Sequence, residues 1–485
     1  MGISQSVVSR RKGITFPPPK GCSRRWRGRR RRGGDASGLE NKSWLLAEAR
    51  GEPSEAEPQS VNSSFRFSFG SQAEAELDAP PAAAATVLLL VSMEDEKAAS
   101  AERRDHDPAT LATGDWQRLR RLESLERSIA PVAGGLVRFS YAQIRSATKD
   151  FYRGRELGRG ALSRVYKGRI GNGLRRPAVA IKRVDGPERE SAKAFCRELL
   201  IANSLCSPHV VPLLGYCIDK DGLFLVYKYI SGGSLDRHLH QNEKRPKVLA
   251  WEVRYKVAVG VARAVEYLHF CTDKCVVHRD IKPSNILLSS KKRPMLCDFG
   301  LATWTHGPSL PFLCKSVKGT FGYLAPEYFQ NGKLSDKTDV YAFGVVLLEL
   351  ITGRKALDQS RPQGDENLVV WAKPLLRQGE DAIEKLVDPK LSSYSRREMY
   401  RMVQAANACL SCEDSTRPSI DLVLAMLLGE EGTACSEWSL FSGNGCLAGY
   451  GSQFHETHEK RDMGGHLALA MLGISDNEED DSYGR

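Results

Sequence analysis

The residue pattern changes period once along this chain, and that change restricts what it can fold into. Across 157–182, short alternating stretches are punctuated by Gly158, Gly160 and Gly171-Asn172-Gly173, ahead of the apolar run Ala178-Val179-Ala180-Ile181-Lys182. Strands joined by hairpins read this way, because glycine supplies the backbone angles that tight turns need. Beyond about residue 231 the period turns helical. Val253, Val257, Val261, Val265 and Leu268 recur at three- and four-residue steps, one apolar stripe on one helix. A second helix, near 339–351, is apolar almost all round and too short to span a bilayer, which places it inside a helical body. The expected class is α+β: a small antiparallel sheet first, a larger helical part after it.

The flanks read differently. Residues 1–137 carry Pro17-Pro18-Pro19, an arginine run, an acidic Ser-rich stretch and four alanines at 82–85, with no sustained apolar period. Disorder is the expectation there. The stretch 429–485 is Gly-rich and polar and ends in Asn477-Glu478-Glu479-Asp480-Asp481, a solvated acidic tail. Residues 1–32 hold eleven Lys or Arg and no Asp or Glu, which accounts for the whole net charge of +11. The body of the chain is therefore neutral, which argues against specific nucleic-acid binding.

An apolar run at 82–91 is about half a membrane span, so no transmembrane helix is expected. The twelve cysteines are scattered, several in segments that read as buried, such as Cys196, Cys217 and Cys297. With no secretory signal ahead of them, reduced thiols in a cytoplasmic setting are expected. Cys409 and Cys412 form one CxxC without a second pair, which does not make a zinc site.

The chemistry is concentrated in 278–300. The string His278-Arg279-Asp280-Ile281-Lys282-Pro283-Ser284-Asn285 is followed thirteen residues later by Asp298-Phe299-Gly300. It offers a carboxylate to orient a hydroxyl, a lysine to balance phosphate charge, and an amide and a second carboxylate for a magnesium ion. Phosphoryl transfer needs these parts, since it depends mostly on positioning and charge neutralisation.

Order and spacing here resemble the catalytic loop and magnesium loop of eukaryotic protein kinases. The resemblance implies a bilobal fold: an N-lobe over 138–230 with one main helix, and a helical C-lobe over 231–428. It implies ATP and Mg2+ as requirements, with Mn2+ as an alternative ion. Asp280 would orient the substrate hydroxyl, Lys282 would neutralise the transferring group, and Asn285 and Asp298 would bind metal. Leu157, Gly158, Gly160 and Val165 would form the glycine-rich loop over the nucleotide, with Ser163 where that pattern has its third glycine.

Lys182, two residues after Ala180 in the pocket strand, would contact the α- and β-phosphates. Glu198 would hold it, since Glu188 and Glu190 are expected to precede the helix. Tyr227 would close the back of the adenine pocket and Tyr229 would line the hinge, with Lys228 between them a surface residue. His278 and Phe299 are expected to pack the two loops together, and Glu327 to pair with Arg417. Arg279, beside the catalytic carboxylate, implies a phosphate on the segment 298–327. Thr303, Thr305, Ser309, Ser316 and Thr320 are the candidates there; Ser316 is preferred, and Thr320 is expected against the catalytic loop.

Further motifs narrow the resemblance. Phe139-Ser140-Tyr141, Ala147-Thr148-Lys149-Asp150-Phe151, Leu213-Leu214-Gly215-Tyr216-Cys217, Gly232-Gly233-Ser234-Leu235 and Gly319-Thr320-Phe321-Gly322-Tyr323-Leu324-Ala325-Pro326-Glu327 together resemble the plant receptor-like/Pelle kinases. Without an ectodomain or a span, the receptor-like cytoplasmic kinases are the nearest type. That type implies serine or threonine acceptors on protein substrates and an upstream membrane receptor kinase. A catalytically weak or silent scaffold of the same fold is the alternative. Ser163 favours it, whereas Lys182, Glu198, Asp280, Asn285 and Asp298 stand against it.

Met1-Gly2-Ile3-Ser4-Gln5-Ser6 fits the pattern for myristoylation at Gly2. One acyl chain binds membranes weakly, so a second signal is needed: the arginine run on an anionic surface, or an acylated Cys22. A tether at the inner face of the plasma membrane is one reading of this segment. Nuclear direction, a plastid transit peptide and a true start at Met93 are the others.

Overall fold

The computed structural model describes residues 110–160, 162–171, 176–185, 188–240, 248–305, 307–314 and 316–430. The glycine-punctuated region builds a sheet from β1 (Val137–Arg138), β2 (Glu156–Gly160), β3 (Ser163–Arg169), β4 (Ala178–Val184), β5 (Leu213–Asp219) and β6 (Gly222–Lys228). Its order is β1-β5-β6-β4-β3-β2. The five longer strands pair antiparallel as expected, but β1 adds a parallel edge against β5. Gly215 permits that approach, since a Cβ there would run into the Val137 carbonyl.

Two helices cover the N-lobe. The short one, α2 (Tyr141–Thr148), opens with a capping box between Ser140 and Gln143. It ends at Thr148, since Lys149, Asp150 and Phe151 all take positive φ. Ile144 and Ala147 pack with Phe139, Val179, Ile181 and Phe224 in a small core on one face of the sheet. The main helix, α3 (Glu188–Ser204), buries Phe195, Leu199 and Leu200 in a larger core that continues into the C-lobe. Glu188 and Glu190 therefore lie inside this helix, not ahead of it as expected.

Residues 110–137 also depart from expectation. In place of an irregular chain, α1 (Thr110–Ile129) runs for twenty residues. Leu122, Leu125 and Ile129 fall at helical spacing, and Leu125, Ile129 and Ala133 are buried in the large core. With Trp116 and Leu119 ahead of them in the sequence, these positions recur at three- and four-residue steps, a helical signal that the polar, Arg- and Glu-rich surroundings obscure. Residues 1–109 and 431–485, with Gly2, Cys22, the arginine run and the apolar 82–91, lie outside the described residues.

The C-lobe runs α4 (Leu235–Leu239), α5 (Trp251–Phe270), α6 (Pro326–Asn331), α7 (Asp336–Thr352), α8 (Leu368–Arg377), α9 (Ile383–Leu386), α10 (Arg396–Cys409) and α11 (Ile420–Leu428). Ser335 caps α7 at its start, Gly353 ends it in the left-handed region, and nearly every residue between is buried. It is the central post of the lobe. Two small ribbons, β7 (Cys275–Val277) with β10 (Thr303–Thr305) and β8 (Ile286–Leu288) with β9 (Pro294–Leu296), hold the functional loops at the mouth between lobes. A third ribbon pairs β11 (Phe312–Leu313) with β12 (Lys333–Leu334). Among the described residues no helix is long and apolar enough to cross a membrane.

Candidate active site

Strand register puts the expected nucleotide residues on one face of the sheet. Val165 stands opposite Lys182 and next to Gly158, while Ala180 stands opposite Tyr227. Residues paired across antiparallel strands share a face, as do positions two apart. Gly158, Val165, Ala180, Lys182 and Tyr227 therefore form one surface. Leu157 is exposed at the bulge between Glu156 and Gly158, and Tyr229 lies just beyond β6 with the Lys167 ammonium 4.4 Å from its ring centre. Lys228 is exposed, as expected of a surface lysine. Ser163 sits in β3 opposite Gly160, so the missing third glycine leaves the hairpin intact.

Lys182 is the hub of this surface. Its Nζ donates to Glu198 Oε2 and to Asp298 Oδ1, both at 2.7 Å. The Tyr227 hydroxyl donates to the other Glu198 oxygen at 2.8 Å. Burial alone would push the Lys182 ammonium down, but Asp298 and Glu198 reverse that and hold it above its ordinary value. Burial likewise favours neutral Asp298, yet the Lys182 charge overrides it and keeps that carboxyl at about 2. Burial also raises Glu198, against the pull of Lys182. Gly300 packs tightly against this cluster: a Cβ would lie 3.1 Å from Glu198 Oε2 and 3.3 Å from both Asp298 Oδ1 and Lys182 Nζ, so any larger residue would push these charges by a few tenths of an ångström.

The loop 278–285 converges on a second carboxylate. Asp280 Oδ2 accepts from Asn285 Nδ2 at 2.9 Å and lies 2.9 Å from Lys282 Nζ. The Thr320 hydroxyl donates to Oδ1 at 2.6 Å, and Lys282 Nζ donates to that same hydroxyl at 2.6 Å. With its amide nitrogen committed, Asn285 keeps its carbonyl oxygen as a hard donor, and Asp298 supplies charged oxygens. Among the described residues no cluster of three or more His, Cys, Asp or Glu could enclose a metal. An ion here would take its other ligands from phosphate and water, which suits magnesium. His278 and Phe299 pack edge to face, centroids 5.0 Å apart, and link the two loops.

Arg279 lies along the Tyr328 ring and donates to its hydroxyl, while its buried Nε finds no partner among the described residues. Arg197 lies close enough that Arg279 depresses it further, after burial. Burial raises the Cys314 thiol, opposed by the charges of Arg279, Lys318 and Arg197. Ser316 stands between Cys314 and Lys318 and is half-buried. Glu327 and Arg417 form a two-pronged pair at 2.8 and 3.0 Å.

Two anchors escaped the sequence reading. Asp339, fully buried on α7, accepts from the backbone of His278 at 2.7 Å and of Arg279 at 2.9 Å, with His269 Nε2 at 3.1 Å. It thereby holds Arg279 at φ 69, a costly conformation for a residue other than glycine. Glu349, also on α7, accepts from the Tyr323 hydroxyl at 2.9 Å, with His240 Nε2 at 3.0 Å. That contact steadies the loop carrying Thr320. The available signal was an acid standing in an otherwise apolar helix.

Residues 151–427 match the protein kinase domain family. Protein kinase STUNTED of Arabidopsis thaliana is 39% identical over 70% of this chain and 53% of its own length. The probable serine/threonine-protein kinase PBL21 of the same plant is 42% identical over 61% of this chain and 78% of its own. Serine/threonine-protein kinase PBS1, also from that plant, is 41% identical over 59% and 63% respectively. The chain thus spans about half the length of the first of these relatives. The resemblance drawn from the motifs is borne out by these matches.

Proposed function

The chain belongs to the protein kinase family, and from that premise we propose that it transfers the γ-phosphoryl group of ATP to serine or threonine hydroxyls on protein substrates. One observation carries this reading: Lys182 engages Glu198 and Asp298 together, within reach of the loop bearing Asp280. A scaffold gains nothing from holding a costly buried Lys182–Glu198 pair against a carboxylate that opens to the cleft.

In this reading Lys182 orients the α- and β-phosphates, fixed from behind by Glu198 and Tyr227. Asp280 aligns the acceptor hydroxyl and takes its proton as the new oxygen–phosphorus bond forms and the bond to ADP breaks. Lys282, beside Asp280, balances charge on the moving group, and Thr320 holds both in place. Mg2+, held by Asp298 and Asn285, would neutralise phosphate charge when bound.

The finer assignments are part of the same proposal. Ser316 lies two residues from Cys314, the thiol on which the charges of Arg279, Lys318 and Arg197 converge. A phosphate on Ser316 would then meet Arg279, Arg197 and Lys318, ordering the segment through new charge-assisted bonds. At the other end, Gly2 acylation together with the arginine run would hold the chain at the inner face of the plasma membrane, near a receptor kinase that acts on it.

Purified full-length chain, incubated with Mg2+ and ATP, should phosphorylate itself and a Ser/Thr peptide, with Ser316 among the mapped sites. An equal signal from Asp280→Asn would overturn the enzyme assignment. Unchanged membrane fractionation of Gly2→Ala would remove the tether.

A further inference from the structure

Helix α1 lies ahead of the family match, which begins at residue 151, yet it enters the same core as α3. We propose that α1 is a brace fixing α3 against the sheet, with Leu125, Ile129 and Asn203 as positioning residues for the Lys182–Glu198 pair. The inference rests on the kinase reading above.

The brace is fastened on both sides of the joint it would control. On the helix side, Asn203 in the last turn of α3 donates its Nδ2 to the Val132 carbonyl at 2.9 Å. The chain there folds back on α1, with Val132 and Ala133 both donating to the Ile129 carbonyl. Leu125, Ile129 and Ala133 are buried in one core with Leu199, Leu200 and Leu205. Glu198 stands five residues before Asn203 on a rigid helix, a rise of roughly 7.5 Å.

On the sheet side, Arg138 Nη2 donates to Glu126 Oε2 of α1 at 2.8 Å. Arg138 belongs to β1, which pairs with β5, and β5 connects through β6 to β4, the strand carrying Lys182. The α1 segment with its closing turn thus reaches both bodies, Val132 bonding the helix that supplies the carboxylate and Glu126 bonding the sheet that supplies the ammonium. Fixing the spacing of those two bodies fixes the 2.7 Å contact between Lys182 and Glu198. Protein kinases need that pair intact for turnover.

The test uses full-length protein as wild type, Asn203→Ala, Asn203→Gln and the double variant Leu125→Asp/Ile129→Asp. Peptide-kinase kinetics and local amide exchange are measured well below each melting temperature. The double variant should lose about tenfold in kcat and Asn203→Ala roughly threefold, each with little change in KM for peptide, while Asn203→Gln recovers most of the rate. Exchange should quicken in 188–204 and stay unchanged in 336–352. Unchanged kcat and unchanged exchange in α3 for Asn203→Ala would overturn the brace, even if the double variant fails to fold. Exchange rising equally in both regions would also overturn it, since the residues would then support stability alone. An inactive wild type would refute the kinase reading, and the exchange data would still decide the brace.

Discussion

Thr320 and Asp280 share a 2.6 Å hydrogen bond, the hydroxyl donating to Oδ1. Lys282 donates to the same hydroxyl, so one side chain ties the segment 298–327 to both charged groups of the loop 278–285. A phosphate at Thr320 would press its charge against Asp280, which favours Ser316 as the modified residue. Thr320→Val should cut kcat/KM by about ten- to a hundredfold, whereas Thr320→Ser, which keeps the donor, should retain most activity. Steady-state kinetics on a fixed peptide would distinguish the two.

Asp280→Asn removes the proposed base. Turnover should fall on the order of a thousandfold, within the span expected for losing a general base. ATP affinity, followed by fluorescent-nucleotide titration, should change by less than about twofold, since Lys182 and Asp298 are untouched.

The Glu327–Arg417 pair is predicted to matter for folding and not for chemistry. The Arg417 guanidinium is fully buried and also bonds to the carbonyls of Ser411 and Lys337. Removing the carboxylate strands that charge. Glu327→Ala should cost about 3–5 kcal/mol in denaturant unfolding, with kcat per folded molecule little changed.

Alkaline stability should respond to thiols. Burial lifts Cys196, Cys217, Cys275 and Cys409 from an ordinary value of 9.0 to about 12. Unfolded thiols ionise first, so the folded state keeps its full advantage below pH 9 and loses it as pH climbs toward about 12. The slope is about 1.4 kcal/mol per pH unit for each thiol. Unfolding midpoints across pH 8–11 should fall less steeply for Cys409→Ala than for wild type, and the native protein should resist alkylation at these four positions at pH 8.

Local pattern made much of this molecule readable. Strands 156–184 follow their glycines, and α5 and α7 follow apolar stripes. The contacts of Lys182 with Glu198 and of Glu327 with Arg417 follow from motif order. What escaped depends on partners distant in sequence. Asp339 acquires its role only by meeting backbone donors some 60 residues earlier, and Glu349 only by meeting Tyr323 and His240. Helix α1 carries a narrow sequence stripe, Trp116, Leu119, Leu122, Leu125 and Ile129, among many charged residues, so its period is diluted and its stability comes from the surface it covers. The two-residue β1 carries no period at all. Cys297, expected inside, is only half-buried, next to the partly exposed Asp298.

That small strand has a practical side. Lying parallel to β5, β1 shields hydrogen-bonding groups that would otherwise face outward. A fragment trimmed to the family boundary at residue 151 would bare them, and an open strand edge templates self-association. Recombinant material that begins upstream of Thr110 should stay monodisperse where the shorter fragment precipitates.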